Sequence, residues 1–253
     1  MRVLRDWLLT PQRVAVHLPT KTAVLSDLHL GYAEARCSAG DAVPSLSLEL
    51  TLEPLRRFLL SGGGGKLTSQ SVDKPAGRRA AQNGQLRRIR RLVVAGDLFE
   101  ERWCDGFLTA LRTILAGVGV DRVEIIPGNH DSAVPANVDG VQIKREGSRV
   151  GPWRIIHGHQ RLPSGKIVLG HFHPRLTWQG VAVPCFLVGH SQIVLPAFSL
   201  DAAGVNVLGD ARWAGCRCLA IAGDQVLDLG DVAELARRQR RKRLHKNEKG
   251  TRR

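Results

Sequence analysis

The sequence predicts an α/β fold, and two features carry that prediction. Short apolar runs rich in Val, Ile and Leu alternate with segments whose apolar residues recur at helical spacing. The leading runs also stop at clusters of Asp, Asn, His and Gly. In layered α/β folds, ligands and reactive groups collect beyond the carboxyl ends of strands. The strands would then form the rigid core, while the loops after them present polar groups at one rim.

Taken along the chain, RVAVHL (13–18) and TAVLSD (22–27) read as a strand pair joined by a Pro-Thr-Lys turn. LELTLEPLRRFLLS (48–61) is helical, with Pro54 best placed in an early turn. The stretch 61–91 is rich in Gly, Ser, Gln and Arg and almost empty of large apolar side chains. Such a segment cannot bury enough surface to offset its ordering entropy, so it reads as a flexible insertion. RLVVAGD (91–97) is a strand ending in Gly-Asp, and 103–115 follows helical spacing through Phe107, Leu111, Ile114 and Leu115. RVEIIPGNHD (122–131), WRIIHGH (153–159) and KIVLGHFH (166–173) repeat the design of a strand followed by a polar motif. CFLVG, QIVLPAF, CLAIAG and QVLDLG supply four more short strands. A single domain is expected over 1–233, followed by a basic, disordered tail over 234–253.

The composition narrows the setting. At 253 residues the chain can bury most of the surface its unfolded form exposes. No stretch approaches the roughly 20 apolar residues of a membrane helix, and the N-terminus lacks the apolar run of a secretory signal. A cytoplasmic protein is expected. Five cysteines, an odd number, argue against a disulfide framework. Cys216 and Cys218 read as two small core residues or as a metal or redox pair. The net charge is +14, of which residues 237–253 carry +9, from ten Lys/Arg against one Glu. Such a tail suits nucleic acid, whose phosphates it can neutralise, or is simply a solvated terminus.

Five motifs carry the chemistry: Asp27-Leu-His29, Gly96-Asp97, Gly128-Asn129-His130-Asp131, His157-Gly-His159 and Gly170-His171-Phe-His173. Six of the nine histidines fall inside them, so the imidazoles are concentrated at strand ends. Residues at i and i+2 of an extended segment point to one side, so Asp27 with His29, or His171 with His173, could chelate one cation. Imidazole with carboxylate suits Mn, Fe, Zn, Co or Ni better than Ca or Mg.

The ordered set resembles the calcineurin-like metallophosphoesterase superfamily over roughly residues 20–230. The resemblance implies a four-layer αββα sandwich, two mixed β-sheets flanked by helices, with two metals at the rim. Matched by position, Asp27, His29, Asp97 and His173 would hold one metal. Asp97, Asn129, His157 and His171 would hold the other, with Asp97 bridging. His130 would contact the phosphate and protonate the leaving oxygen. Two divalent cations, with manganese the expected metal, would activate a shared hydroxide and clamp an in-line displacement at phosphorus. Asn129 could ligate through oxygen without adding negative charge, and His130 could reach the leaving group as a general acid.

Several residues around these motifs remain open. His159 could replace His157 as ligand. Glu100 could orient His130 or be a solvated surface carboxylate. Asp131 is a further candidate beside the ligands. Arg161 and Arg175 could bind phosphate oxygens or be ordinary surface arginines. GDLFEER and GNHD depart from the serine/threonine phosphatase patterns G-D-x-x-D-R-G and G-N-H-E. SDLHLGYAEA, HGHQRLPSGKIVLGHFHP, VPCFLV and IVLPAF are similar instead to the bacterial ligase-associated DNA-damage-response phosphoesterases. That likeness implies a phosphodiesterase or endonuclease acting on DNA beside a repair ligase and helicase. The long insertion and SLDAAG (199–204) depart from it. Two other functions fit less of the sequence: a small-molecule phosphodiesterase or nucleotide-lipid pyrophosphatase, and a protein-binding scaffold.

Overall fold

The computed structural model describes residues 1–44, 48–61, 89–101, 104–135 and 137–250. Seven strands form a first sheet in chain order: β1 (Arg2–Val3), β2 (Trp7–Leu9), β3 (Ala15–His17), β4 (Thr22–Leu25), β5 (Arg91–Ala95), β6 (Arg122–Ile126) and β7 (Gln142–Ile143). β1 to β4 meander antiparallel, and β4 to β7 run parallel. A second, nine-stranded sheet holds β8 (Ser148–Val150), β9 (Trp153–Ile156), β10 (Ile167–Leu169), β11 (Pro174–Trp178), β12 (Val181–Val188), β13 (Gln192–Val194), β14 (Val205–Asn206), β15 (Arg217–Ala222) and β16 (Gln225–Asp231). At its heart β9, β10 and β13 are parallel neighbours. The helices are α1 (Tyr32–Ser38), α2 (Leu48–Leu60), α3 (Asp105–Val118) and α4 (Val232–Gly250).

Three apolar cores separate four layers, and strand alternation builds them. In β5, Leu92 and Val94 face α2 and α3, meeting Leu52, Leu55, Phe58, Leu108 and Leu111. Val93 and Ala95 face the second sheet and meet Trp153, Ile155, Val168 and Phe186. In β10 the same period sends Val168 inward and Ile167 and Leu169 outward. The outward pair packs in a third core with Trp213 and with Val232 and Leu235 of α4. Apolar side chains on both strand faces are what a sheet covered on both sides requires. The expected sandwich is therefore present.

Some elements differ from expectation. Residues 234–250 of the expected disordered tail are instead part of α4, because Val232 and Leu235 bury one face of its first turns and Glu234 pairs with Arg238 one turn on; residues 251–253 lie outside the described residues. Further along, Lys242 lies over the Trp178 ring and Gln239 donates to the Thr177 carbonyl. Pro54 is the seventh residue of α2 rather than part of an early turn. The insertion expected over 61–91 lies outside the described residues between 62 and 88. At its described end Ile89 is buried in the first core. Cys185, Cys216 and Cys218 are buried free thiols in the third core. Among the described residues no helix is long and apolar enough to cross a membrane.

At the end of the sheets opposite the motifs, a buried carboxylate ties the layers together. Glu124 is fully buried in β6, 2.6 Å from Arg91 Nη2 and 2.6 Å from Arg122 Nε, and it accepts from the Ser148 hydroxyl of β8. Burial pushes its pKa up, but Arg91, Ser148 and Arg122 outweigh this and hold it below the ordinary 4.5. A carboxylate with a lowered folded pKa stabilises above its unfolded value and loses that contribution as pH falls through the folded value. Glu124→Gln is expected to cost about 2 kcal/mol at pH 7, since it leaves Arg91 without its counter-charge. Urea unfolding of both proteins across the acid range should show the gap narrowing below pH 4.5. A pH-independent gap would count against the ion pair as its cause.

Candidate metal centre

The carboxyl ends of β4, β5 and β6 in one sheet and of β9 and β10 in the other lead into the five motifs. The β4–β5 pairing continues past both strands. The Asp27 amide donates to the Gly96 carbonyl (3.0 Å), His29 to Asp97 (3.0 Å) and Leu30 to Leu98 (2.9 Å). The first two motifs are thus zipped side by side. Asp131 pins the third to them: its carboxylate accepts from the amides of Leu98 (3.2 Å), Phe99 (2.9 Å) and Gly128 (2.8 Å). It is buried among backbone donors and so holds the loops in place. Burial pushes its pKa up against those bonds. Across the sheets, the His171 amide donates to both Asp27 oxygens, 3.0 Å to the nearer; within the second sheet the Gly170 amide donates to the His157 carbonyl (2.9 Å).

Backbone conformation then aims the side chains. Asp27, His29, Asp97, His171 and His173 all have positive φ, between 40° and 67°. Non-glycine residues seldom adopt this left-handed region, and it is concentrated at functional sites. Two glycines make room. A Cβ on Gly96 would lie 2.0 Å from His157 Nδ1, and one on Gly128 would lie 2.0 Å from Asp97 Oδ1.

Two sets of acceptor atoms result. In one, His173 Nε2 stands 3.3 Å from Asp27 Oδ1 and 3.4 Å from His29 Nε2. In the other, His157 Nε2 stands 3.0 Å from Asn129 Oδ1 and 3.2 Å from Asp97 Oδ2, and His171 completes a set with Asp97 and His157. The tautomers follow from the far side of each ring. His157 Nδ1 faces the Ala95 carbonyl at 3.1 Å, which can only accept, so Nδ1 carries the proton and a neutral ring turns the Nε2 lone pair inward. His29 Nδ1 donates to Glu100 Oε2 at 2.6 Å and likewise turns Nε2 inward. Lone pairs converging on lone pairs are what a cation requires, and the donor set of imidazoles, carboxylates and one amide fits a divalent transition metal.

The titration behaviour points the same way. Burial pushes Asp97 up, but His157 and the His130 amide outweigh it and hold the carboxyl at about 2, so it is ionised at neutral pH. Burial pushes His157 down, yet Asp97 and Asp27 raise it overall. Asp97 thus draws positive charge toward His157, while burial and the neighbouring His157 lower His171.

The remaining candidates take distinct places. His130 Nδ1 donates to the Glu100 carbonyl at 2.7 Å, with its ring edge-on to His29. Glu100 thus serves both imidazoles. Its carboxylate holds His29 and lies 4.0 Å from His130 Nδ1, while its carbonyl holds His130. His159 is exposed, its ring 5.1 Å from that of buried His157. Arg161 lines a cleft that opens beside His157 and His159. Arg175, in β11, donates to the Ala203 carbonyl and shares a hollow with His173.

Sequence reading missed Arg13. Its guanidinium donates to the carbonyls of Ala197 (3.1 Å), Phe198 (3.3 Å) and Ser199 (2.6 Å), and the Ser199 amide donates back to the Asp27 carbonyl (3.0 Å). A basic residue 14 positions before Asp27 carries no local signal of that role.

No protein-family model matches the chain, and no curated protein does. Among solved structures the fold has a clear counterpart. It is shared with Pseudomonas putida nuclease MPE. That crystal structure matches with a TM-score of 0.66 at 18% identity, over 90% of this chain and 98% of that one. At that identity the likeness establishes the architecture, and the acceptor sets at the rim stand on their own geometry.

Carboxylates that hold a ligand histidine commonly tune metal affinity by 10–100-fold. Glu100→Gln is accordingly expected to weaken manganese binding by about that factor, measured by calorimetric titration of the metal-free protein. An unchanged affinity would mean that the His29–Glu100 contact does not set the ligand.

Proposed function

We propose that this protein is a two-metal phosphoesterase, and more specifically a phosphodiesterase or nuclease that acts on DNA in a repair setting. The observation that carries the reading is the pair of acceptor sets at one rim, three motif loops from one sheet facing two from the other. Asp27, His29 and His173 would hold one cation, and Asn129, His157 and His171 the other. Asp97 would lie between them. Manganese is the proposed metal, with Fe, Zn, Co and Ni compatible with the same ligands. Bound there, two cations lower the pKa of a water and offset charge on the phosphoryl oxygens.

The chain's own residues do the rest. Asp97 keeps its carboxylate ionised, and backbone amides fix the carboxylates of both Asp97 and Asp27. His130, partly exposed at the mouth, enters as the imidazolium and gives its Nε2 proton to the leaving oxygen. The product of that transfer is the Nδ1–H tautomer, which the Glu100 carbonyl stabilises at 2.7 Å. The basic face of α4, with Arg237, Arg240, Arg241 and Lys242 exposed, supports nucleic acid as partner through non-specific phosphate contacts. The motif text similar to ligase-associated phosphoesterases supports work beside a repair ligase and helicase in the cytoplasm.

Purified protein supplied with manganese is expected to hydrolyse bis(p-nitrophenyl) phosphate and to cleave DNA. Asp97→Asn or His171→Ala should reduce turnover by at least about a thousandfold, while His130→Ala should keep its metal and lose about a hundredfold or more in kcat. Activity that survives thorough chelation, or both ligand substitutions, would overturn the two-metal reading. Loss of metal from His130→Ala would show that His130 is a ligand.

A further inference from the structure

Beside the metal centre, on the His157 side, a cleft opens whose walls come from the β7–β8 turn, β9 and the loop after it. Arg145, Glu146, Arg154, His159 and Arg161 line it together with His157, one of the proposed metal ligands. Three guanidiniums therefore converge within one hollow, against one carboxylate.

Their partners make this more than an ordinary basic surface. Several exposed arginines elsewhere sit against carboxylates, as Arg56 and Arg57 do with Glu53, Arg112 with Asp139, Arg212 with Asp210, and Arg217 with Asp228. Among the described residues Arg145, Arg154 and Arg161 have no such partner. Arg145 Nη2 donates to the Val134 carbonyl at 2.8 Å and Arg154 Nη2 to the Glu146 carbonyl at 2.8 Å. Each anchor uses one N–H of five and adds no negative charge, so both guanidiniums are oriented while most of their donors stay free. A planar fork of that kind is matched to phosphate oxygens. Arg161 is exposed at the lip, and His159 adds a ring N–H there.

We propose that this cleft binds the phosphate next to the scissile one along a nucleic-acid strand, so that the enzyme favours polynucleotides over isolated phosphodiesters. The inference rests on the nuclease reading above and adds a subsite to it. The scissile phosphate belongs to the cations. A second phosphate on the same strand needs its own neutralisation, and the cleft offers it directly beside His157. The cleft would confer no base preference, since phosphate contacts position a strand without reading its sequence.

The test compares two substrates on the manganese-loaded full-length enzyme: a single-stranded oligonucleotide and bis(p-nitrophenyl) phosphate, which has no second phosphate. Arg145→Gln and Arg161→Gln are each expected to raise KM for the oligonucleotide by about 3–10-fold with kcat within about twofold, and to reduce the salt dependence by about one phosphate contact. Arg161→Lys, which keeps the charge, should regain most of that loss. On bis(p-nitrophenyl) phosphate the same variants should show a several-fold smaller effect. Equal losses on both substrates would place these arginines at the scissile phosphate or the metals and overturn the subsite. An unchanged oligonucleotide KM in the double variant would overturn it too. A wild-type enzyme that hydrolyses the small diester and cleaves neither DNA nor RNA would instead defeat the nucleic-acid reading, and the subsite with it.

Discussion

Asp97 stands where the two sheets meet, and the rest of the site is arranged around its carboxylate. Oδ1 accepts the His130 amide at 2.9 Å, Oδ2 lies 3.2 Å from His157 Nε2, and its carbonyl accepts from His29 at 3.0 Å. One residue thus touches loops from β4, β6 and β9, the last in the opposite sheet. Packed sheets lie about 10 Å apart, too far for their strand backbones to share a ligand. Only at the rim, where the loops bend over the gap, can groups from both sheets reach one point. The bend needs the absence of a Cβ at Gly96 and Gly128. It also needs the inter-sheet core of Val93, Ala95, Ile126, Ile155 and Val168, which fixes how the sheets lie against each other. A slide of one sheet over the other would pull His157 and His171 away from Asp97 and separate the donor sets.

The same arrangement explains why the backbone tolerates strain there. Five of the proposed ligand residues lie in the left-handed region, at roughly 1–3 kcal/mol each in isolation, a sum comparable to the whole net stability of an ordinary domain. Such conformations persist only when the surroundings over-determine them. Here the bonds are explicit. The Asp27, His29 and His171 amides each reach a partner on another loop, and Asp131 gathers three amides at once. Arg13 adds a clamp from behind by holding the loop that pairs with Asp27. These bonds tie the motif loops to one another and to the loop that Arg13 holds.

Much of this was legible in the sequence, for reasons of scale. Strands such as RLVVA and RVEII are buried on both faces, and continuous apolar runs survive in the text. D-x-H, G-D, G-N-H-D and G-H-x-H are local patterns whose chemistry depends on spacing of two or three residues. What stayed hidden depends on distance. β1, β7 and β14 are two-residue pairings that exist only because a neighbour offers a ladder. α1 is a short helix after Gly31 and lacks a strong apolar period. α4 reads as a charged tail, since Val232 and Leu235 carry its packing and the strand layer they meet is remote in sequence. Glu100 was visible as a carboxylate three residues after Asp97, but its preference for His29 over His130 is a matter of ångströms. Arg145 and Arg154 have no motif at all, and only the fold brings them beside Arg161.

Charge ties these observations to function. The chain carries +14, yet its centre is built from acceptors. The proposed ligand set contains two carboxylates, Asp27 and Asp97, with imidazoles and the amide of Asn129 contributing no charge. The Ala95 carbonyl fixes the His157 tautomer without adding charge, whereas Glu100 fixes His29 and adds one. Two dications placed over this set leave about +2 on the ligands and about +1 once Glu100 is included, because a bound ion dominates the local field. One phosphodiester anion neutralises that remainder, and the centre then has no charge left to hold a second phosphate. Any longer polyanion must find its counter-charge outside the ligand set. Guanidiniums that lack a carboxylate partner line the cleft beside His157. A centre satisfied by a single phosphate and a rim that still attracts anions together favour a substrate with more than one.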